Sequence, residues 1–444
     1  MKRYILIVFM VAFALLNAQT APYYPTTLII ENFGASWCGA CAFALAGLDV
    51  IEGEVLPHEV IFTRLLTESG EYSTPEVEDR FDYYQVYGLP TVIFNGKTRV
   101  PGSDDLVADG TLYREALNQY RYTGTPVKME LNSFDYQAGE YSFTITNVNQ
   151  GFSIDEGKVM LYVIENDIED MTRIVRTAQS QDITLGDVGD SVVASFSVDN
   201  DASWNMDNIW AAAFVQLPSG SILQAASTLP LPESQVRVAA PFDLHLTEDE
   251  PGAHYSPTFY LYNIGPATSF NTHIEIHEAP DDWFINYCDE DDNCFPGGFP
   301  TTHPMAENGY KALELNLFVG SKGYGRFDFI IETDFAEPYV IPFEMTVGPV
   351  SVADDLAPMA ELSAKIYPNP FADKIKIRIQ SEKTRADEKL LIYNLKGQIV
   401  KSLNLGTVKA GESVISADLQ NLADGIYFYK LESEKTTRKL IKIK

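Results

Sequence analysis

The sequence predicts a multidomain, mainly β protein. We expect an α/β domain at residues 26–122, two β-sandwich (immunoglobulin-like) domains at 125–233 and 236–348, and a small C-terminal β-sandwich at 363–444. Strand and helix patterns alternate through the first of these regions, and short runs of alternating apolar and polar residues follow between Gly, Asp and Asn turns. In addition, residues 361–444 contain 16 Lys plus Arg against 10 Asp plus Glu, in a chain with a net charge of −30.

The start of the chain has the order of a secretory signal peptide. Met1-Lys2-Arg3 precedes an apolar run from Tyr4 to Leu16, which is followed by Asn17-Ala18-Gln19. The run is shorter than the ~20 residues that a helix needs to span a bilayer. We therefore expect residues 1–18 to be removed and the mature protein to be soluble and exported.

The α/β domain is predicted from its changing periodicity. Apolar runs predict strands at 28–33, 60–66, 91–94 and 99–100, and helical spacing predicts helices at 41–51, 75–84 and 106–120. Asn95-Gly96 predicts a hairpin turn between the last two strands.

The β-rich middle of the chain, residues 125–348, is predicted to form two consecutive sandwiches. Strands of the first are expected at 141–145, 158–164, 191–198 and 209–215. Strands of the second are expected at 242–246, 258–262, 273–277, 313–319 and 327–331. A linker at 349–362, with Pro349 and Pro358, leads into the tail.

The charge distribution excludes one class of partner. A protein that binds nucleic acid needs a concentrated basic face, whereas the residues before the tail have a net charge of −36. We therefore expect no nucleic-acid partner.

The first candidate site is Trp37-Cys38-Gly39-Ala40-Cys41, where a hydrophobic strand gives way to a helix. Cys38 would lie at the helix N-terminus, where unpaired amides and the helix dipole stabilise a thiolate. The spacing places Cys41 one turn further along, close enough to attack a mixed disulfide held on Cys38. We predict Cys38 as the nucleophile and Cys41 as the resolving thiol. The alternatives are a stable, inert disulfide or a domain that only binds extended peptides.

This motif, together with Gly88-Leu89-Pro90-Thr91 before an apolar strand, resembles the thioredoxin superfamily. The resemblance implies a thioredoxin-like fold for residues 26–122 and a cis peptide bond before Pro90. It also implies a substrate-binding platform at Trp37, Leu89 and Pro90.

Three residues differ from those usual in the superfamily and affect the reactivity predicted for the dithiol. Ala40 stands where the superfamily usually has proline, and Asn32 stands where it has a buried Asp. Because Asn cannot accept a proton at neutral pH, deprotonation of Cys41 would need another group or water. Arg64 falls where the superfamily often has lysine and could help the local electrostatics.

The region behind the α/β domain resembles a second family. A connected pattern runs through 160–167, 173–176, 186–191, 210–215 and 222–226. Together with the thioredoxin-like part, it resembles the outer-membrane surface proteins of the 28-kilodalton type. The resemblance implies a surface protein for which adhesion or surface binding is suggested.

Cys288 and Cys294 enclose an acidic run and predict a local structural disulfide in the exported chain. The run lacks the spacing of a calcium loop, so we favour a solvated turn over calcium binding. His273 and His277 would share a strand face beside Glu275, which exposed surface histidines explain better than a metal site. We therefore predict neither a metal nor a cofactor.

The tail is predicted to be a small antiparallel sandwich. Its ordered motifs lie at 366–370, 375–379, 391–398, 422–431 and 436–444. This set resembles the type A C-terminal sorting domain of the type IX secretion system. The resemblance implies transport across the outer membrane by that machinery, then cleavage, with release or attachment to surface lipopolysaccharide.

Two functions compete at this point. The dithiol predicts an exported thiol–disulfide oxidoreductase, secreted or on the cell surface, whose partners are protein thiols or disulfides. The alternative is a surface adhesion or binding protein in which the thioredoxin fold is a scaffold with a structural disulfide.

Overall fold

The computed structural model describes residues 21–67, 72–169, 171–334 and 337–348, and in the tail 362–367, 371, 374–381, 383–394, 398–409, 411–423, 425–431 and 438–442. The chain divides into two compact units, Met1–Val347 and Gly348–Lys444. The predicted signal peptide at 1–18, nearly all of the linker at 349–362 and parts of the tail motifs lie outside the described residues.

The N-terminal part of the first unit contains both helices and strands. Its strands are β1 (Tyr24–Pro25), β2 (Leu28–Gly34), β3 (Val60–Leu66), β4 (Thr91–Phe94), β5 (Thr98–Pro101) and β6 (Gly124–Thr125). Its helices are α1 (Cys41–Glu52), α2 (Pro75–Tyr84), α3 (Asp105–Ala108) and α4 (Thr111–Asn118).

Local sequence explains where these helices begin and end. The Thr74 hydroxyl accepts a hydrogen bond from the Val77 N–H, and Pro75 occupies the first turn of α2, where no intrahelical donor is needed. The single helix expected at 106–120 is wrong, because the structure has α3 and α4 instead. Gly110 separates them in a left-handed conformation with φ 76°, which ends one helix and redirects the chain.

In the rest of the first unit, the regular elements described are strands, apart from one short 3-10 helix at Met206–Asn208. The strands up to residue 239 are β7 (Val127–Asp135), β8 (Glu140–Asn147), β9 (Ile154–Glu165), β10 (Ile174–Leu185), β11 (Ser191–Ser197), β12 (Ile209–Gln216), β13 (Ile222–Ser227) and β14 (Gln235–Ala239). The later strands are β15 (His245–Glu248), β16 (Gly252–Tyr255), β17 (Phe259–Ile264), β18 (Thr268–Glu278), β19 (Trp283–Asp289), β20 (Cys294–Pro296), β21 (Thr301–Met305), β22 (Tyr310–Val319), β23 (Gly323–Glu332) and β24 (Tyr339–Val347).

One eight-stranded sheet joins the α/β part to the strands that follow it. Its order is β13-β12-β9-β10-β3-β2-β4-β5, and the connection is a parallel pairing of Ile174 with Arg64. The Arg64 N–H also donates to the Arg173 carbonyl at 2.8 Å. The sheet therefore continues across the boundary expected at residues 123–124, because β10 satisfies the open edge of β3.

Each face of this sheet is covered by a different element. The three-stranded sheet β11-β8-β7 packs on one face and forms an apolar core with β9 and β12. On the other face, α2 packs over Ile29, Phe33, Tyr162 and Phe214. Helices α1 and α4 lie on the face of β2 opposite α2, where they share a core with alternate residues of that strand, including Leu28 and Ile30.

A second sandwich follows in the same unit. The order β14-β17-β22-β19-β20 forms one sheet, with β16 also paired to β22, and β15-β24-β23-β18-β21 forms the other. Their inner faces enclose one core. This sandwich contacts the α/β part through buried polar groups: the Tyr339 hydroxyl donates to Glu59 at 3.0 Å, and Arg237 donates to the Thr26 carbonyl at 2.7 Å.

The C-terminal unit contains two antiparallel sheets. Its strands are β25 (Leu362–Tyr367), β26 (Lys374–Ser381), β27 (Arg385–Tyr393), β28 (Ile399–Val408), β29 (Gly411–Asp418), β30 (Gly425–Leu431) and β31 (Arg438–Lys442). They form the sheets β25-β26-β29 and β28-β27-β30-β31 around a core that includes Ile377, Leu390 and Leu431.

Candidate functional site

The Cys-Gly-Ala-Cys motif begins in the turn after β2 and ends at Cys41, the first residue of α1. Cys38 and Cys41 form a disulfide with a Cα–Cα distance of 5.4 Å, and the Cys41 N–H donates to the Cys38 carbonyl at 3.0 Å. The two residues differ in exposure, since Cys38 is half-buried and Cys41 is only 3% exposed. A thiol partner can therefore approach Cys38 more easily than Cys41.

Residues of β2 and β3 beneath the dithiol determine the space and the polar groups around the Cys41 sulfur. A Cβ at Gly34 would lie 3.3 Å from the Cys41 sulfur, so glycine leaves room for that sulfur. Asn32 lies on the same sheet face, is 2% exposed, and its Oδ1 accepts no hydrogen bond within the described part of the chain. Arg64 lies beside Asn32 in the parallel register. Neither Asn32 nor Arg64 supplies a carboxylate base for Cys41.

The predicted proline loop lies at the same end of the sheet. Phe33 pairs with Thr91, so the residues after Phe33, which lead to Cys38, run beside the residues before Thr91. The Leu89–Pro90 peptide bond is cis, as the sequence predicted, with Leu89 half-buried and Pro90 buried.

Exposed aromatic side chains flank the disulfide and the proline loop. Trp37 precedes Cys38 and is 73% exposed, and Tyr87, before the proline loop, is 89% exposed. Phe43, in the first turn of α1, is 43% exposed. Large apolar side chains that remain in water near a reactive group commonly form binding surfaces.

The opposite face of β2 carries a buried polar cluster that sequence reasoning missed. Glu31 and Arg80 form an ion pair at 2.7 Å, with side chains 0% and 5% exposed. Tyr84 and Tyr162 donate to Glu31 at 2.6 and 2.5 Å, and Arg80 donates to Gln216 at 2.9 Å. The sequence signal for this cluster was Glu31, a charged residue inside the mainly apolar strand β2. Local spacing could not show its partners, because they lie on distant elements.

Burial and charge both shift pKa values within this Glu31 cluster, which consists of Glu31, Arg80, Tyr84, Tyr162 and Gln216. Burial disfavours the charge of Arg80, but the Glu31 carboxylate, with Tyr162 and Tyr84, raises the pKa of Arg80 above its usual value. Burial, reinforced by Glu31, raises the pKa of Tyr84, and burial also raises the pKa of Tyr162. Both tyrosines therefore remain protonated donors. As expected from strand alternation, Glu31 faces away from Asn32 and cannot serve the dithiol.

The second cysteine pair lies in the other sandwich. Cys288 on β19 is directly opposite Cys294 on β20, and a disulfide joins them with a Cα–Cα distance of 4.0 Å. Asp289 in the enclosed turn accepts hydrogen bonds from Asp291 and Asn293. Burial opposes ionisation of Asp289, but these hydrogen bonds outweigh it and lower the pKa of its carboxyl group.

Two histidines of this sandwich, His277 and His303, have protein partners. His277 pairs with Asp328 at 2.7 Å, and buried His303 forms a hydrogen bond with Thr272 at 2.9 Å. Burial lowers the pKa of His303 to about 4. Within the described residues, no group of three or more His, Cys, Asp or Glu side chains could hold a metal ion.

Comparison with known families identifies the function of the tail. Residues 365–444 match the family model of the secretion system C-terminal sorting domain. The chain is a secreted protein. The type IX secretion machinery recognises such a domain, and the protein is delivered to the cell surface or outside. Among the described residues, no helix has the length and apolar character needed to cross a membrane.

Solved structures show only weak similarity. Protein AGR_C_4864 from Agrobacterium tumefaciens is 17% identical, with 47% of this chain and 98% of that chain covered and a TM-score of 0.32. Dimeric latent PorU from Porphyromonas gingivalis is 13% identical, with 72% and 34% covered and a TM-score of 0.17. Secreted serine protease VesC from Vibrio cholerae is 8% identical, with 72% and 92% covered and a TM-score of 0.21. Such TM-scores assign no activity to this chain, and no curated protein sequence matches it.

Proposed function

We propose that this secreted protein is a thiol–disulfide oxidoreductase with a thioredoxin-like α/β part at residues 26–122. Cys38 is the nucleophile and Cys41 the resolving thiol, while Trp37, Leu89 and Pro90 contact the substrate chain. The observation that carries the proposal is the unequal exposure of the pair, with half-buried Cys38 beside exposed Trp37 and with Cys41 buried.

Several features support the thioredoxin-like assignment. The strands of this part have the order β3-β2-β4-β5, in which β3 is parallel and β4 antiparallel to β2. The dithiol lies at the start of α1, of which Cys41 is the first residue, and the cis Leu89–Pro90 bond precedes β4 at the same end of the sheet. This juxtaposition suits a partner chain that lies across the proline loop with its sulfur above Cys38.

The exchange reaction can be written in either direction. In the reduced protein, the Cys38 thiolate attacks a partner disulfide, forms a mixed disulfide and releases one partner thiolate. Cys41 then attacks the Cys38 sulfur, which re-forms the Cys38–Cys41 bond and releases the second partner thiolate. The partner gains two electrons and the protein loses two; the reverse sequence oxidises a partner dithiol.

The test is the reduction potential of the Cys38–Cys41 pair in the mature chain, measured in glutathione or dithiothreitol buffers with peptide mapping of thiols. A value of roughly −120 to −270 mV, as in exchange catalysts, supports the proposal. Insulin reduction should be lost in Cys38→Ser and retained in a Cys288→Ser/Cys294→Ser control. Unchanged insulin reduction in Cys38→Ser would refute the proposal.

A surface-binding protein is the second candidate, and Asn32 favours it. Because Asn32, which cannot accept a proton at neutral pH, stands where a carboxylate base would be needed for Cys41, the pair suits a slow, structural disulfide. The resemblance of residues 26–227 to outer-membrane surface proteins of the 28-kilodalton type supports the same candidate. A potential well below about −300 mV, with cell or surface attachment retained after loss of both cysteines, would favour it.

The fate of the tail is part of the proposal. We infer that it acts as a type A sorting domain, is removed after transport, and leaves the mature protein released or attached to surface lipopolysaccharide. The mass of the protein recovered from the cell surface tests this inference. Removal of 363–444 and a heterogeneous added mass would indicate attachment, whereas an intact C-terminus would contradict cleavage.

A further inference from the structure

The Cys288–Cys294 disulfide lies on the outer face of its sheet. In β19, residues Trp283, Ile285 and Tyr287 face the core, so Cys288 faces the opposite side. Strand β20 is the last strand of that sheet, and Cys294 on it is exposed. An external thiol can therefore reach the Cys294 sulfur at the sheet edge.

A buried amide distinguishes the two sulfurs. Asn316 on the adjacent strand β22 is 7% exposed, and its Nδ2 lies 2.7 Å from the Cys288 sulfur and 3.9 Å from the Cys294 sulfur. An N–H donor stabilises a sulfur that acquires negative charge. Cys288 is therefore the better leaving group, and attack on Cys294 is favoured by both access and chemistry.

The surroundings of this disulfide are acidic. The turn between the cysteines contributes four carboxylates, and Glu314 pairs directly opposite Cys288. Lys311 lies 3.9 Å from one of these carboxylates, that of Glu290. Negative charge of this density repels an anionic thiol such as glutathione and attracts a cationic one.

An exposed apolar pair lies on the same sheet face. Phe284 and Phe318 pair across β19 and β22, are 55% and 42% exposed, and have ring centroids 6.1 Å apart. Together with the acidic turn, this pair favours a protein partner that combines apolar contacts with positive charge.

We propose that Cys288–Cys294 is a second exchange site, through which the secreted protein oxidises a partner dithiol whose reactive cysteine is flanked by Lys or Arg. The partner thiolate attacks the Cys294 sulfur and forms a mixed disulfide, while the electron pair of the broken bond goes to Cys288. The partner's second thiolate then attacks its own sulfur and releases Cys294. The partner loses two electrons, and Cys288 and Cys294 gain them and take protons from water.

The test uses the oxidised full chain and three small thiols: cysteamine, which is cationic, neutral 2-mercaptoethanol and anionic 2-mercaptoethanesulfonate. Acid quenching, alkylation and peptide mass mapping give the rate of opening and the position of the mixed disulfide. Per thiolate, cysteamine should react about tenfold faster than the sulfonate, and the difference should disappear in ~1 M salt. The first adduct should be on Cys294.

Variants separate the role of the amide from that of the fold. Asn316→Leu should slow opening about tenfold, because the leaving thiolate loses its donor; Asn286→Leu, on the same face of β19, is the matched control. Glu314→Gln should reduce the preference for cysteamine. Equal adducts on both cysteines, equal rates for all three thiols, or opening only after unfolding would overturn the proposal. Since mapping reads the Cys38–Cys41 peptide separately, the outcome is independent of the function proposed for that pair.

Discussion

The buried ion pair between Glu31 and Arg80 connects α2 to the central sheet. Removal of one partner of such a pair leaves the other charge in a site without water, which costs about 3–5 kcal/mol. We expect Arg80→Ala to lower the free energy of unfolding by about that amount, because Glu31 would keep only the hydroxyl donors of Tyr84 and Tyr162. Urea denaturation of the purified mature chain measures the change.

An exposed ion pair provides the control for this prediction. Arg114 and Glu54 have side chains 38% and 39% exposed, and exposed pairs contribute about 0–1 kcal/mol. Arg114→Ala should therefore have little effect on stability. Equal losses in the two variants would show that burial does not determine the contribution of the Glu31–Arg80 pair.

His303 makes the stability of the second sandwich depend on pH. Burial lowers its pKa to about 4, whereas a histidine in an unfolded chain has a pKa near ~6.5. Between these values the unfolded state binds more protons, so the contribution of His303 is fully present above about pH 6.5 and is lost as the pH falls toward ~4. From pH 7 to pH 5 this linkage amounts to about 1–2 kcal/mol.

Substitution of His303 tests that pH dependence. In His303→Gln, the difference in unfolding free energy between pH 7 and pH 5 should be smaller by about 1–2 kcal/mol. A pH dependence in His303→Gln equal to that of the parent chain would contradict this assignment.

At the scale of elements, the contact between α1 and α3 depends on a glycine. Gly47 is on the buried face of α1, and a Cβ there would lie 1.9 Å from the Val107 carbonyl oxygen. Alanine usually stabilises a helix by up to about 1 kcal/mol relative to glycine, but the clash forces α3 to move. We expect Gly47→Ala to destabilise the protein by about 1–3 kcal/mol, measured by urea denaturation.

Gly53, at the end of the same helix, is the matched control. Its added Cβ would meet the Val50 carbonyl oxygen at 3.5 Å, an ordinary contact distance. Gly53→Ala should therefore be neutral within about 0.5 kcal/mol. A neutral Gly47→Ala would mean that α3 adapts to the extra methyl group without loss.

Local patterns predicted most elements but not their long-range partners. Periodicity predicted β2, β3, β4 and α2 to within a few residues, and the cysteine motif predicted the position of the dithiol at the start of α1. The Glu31–Arg80 contact joins residues 49 positions apart, and the β3–β10 pairing crosses an expected domain boundary. Neither follows from local spacing, because periodicity shows which face is buried and not what covers it.

At the scale of the whole molecule, the two units have separate apolar cores. Within the described residues, four large apolar clusters of the first unit are formed entirely by residues between Leu28 and Val347, and the tail has a core of its own. Loss of the tail should therefore leave the first unit folded. The charge reverses between the two parts, since residues before 361 have a net charge of −36 and residues 361–444 one of +6.

This separation predicts the effect of deleting residues 363–444. The truncated chain should fold and then remain in the periplasm, because it lacks the domain that the secretion machinery recognises. Cell fractionation, with protease digestion of intact cells, measures the location. A full-length Cys38→Ser chain should reach the surface normally, which would show that export depends on the tail and not on the dithiol. Surface exposure of the truncated chain in intact cells would mean that the first unit carries a second export signal.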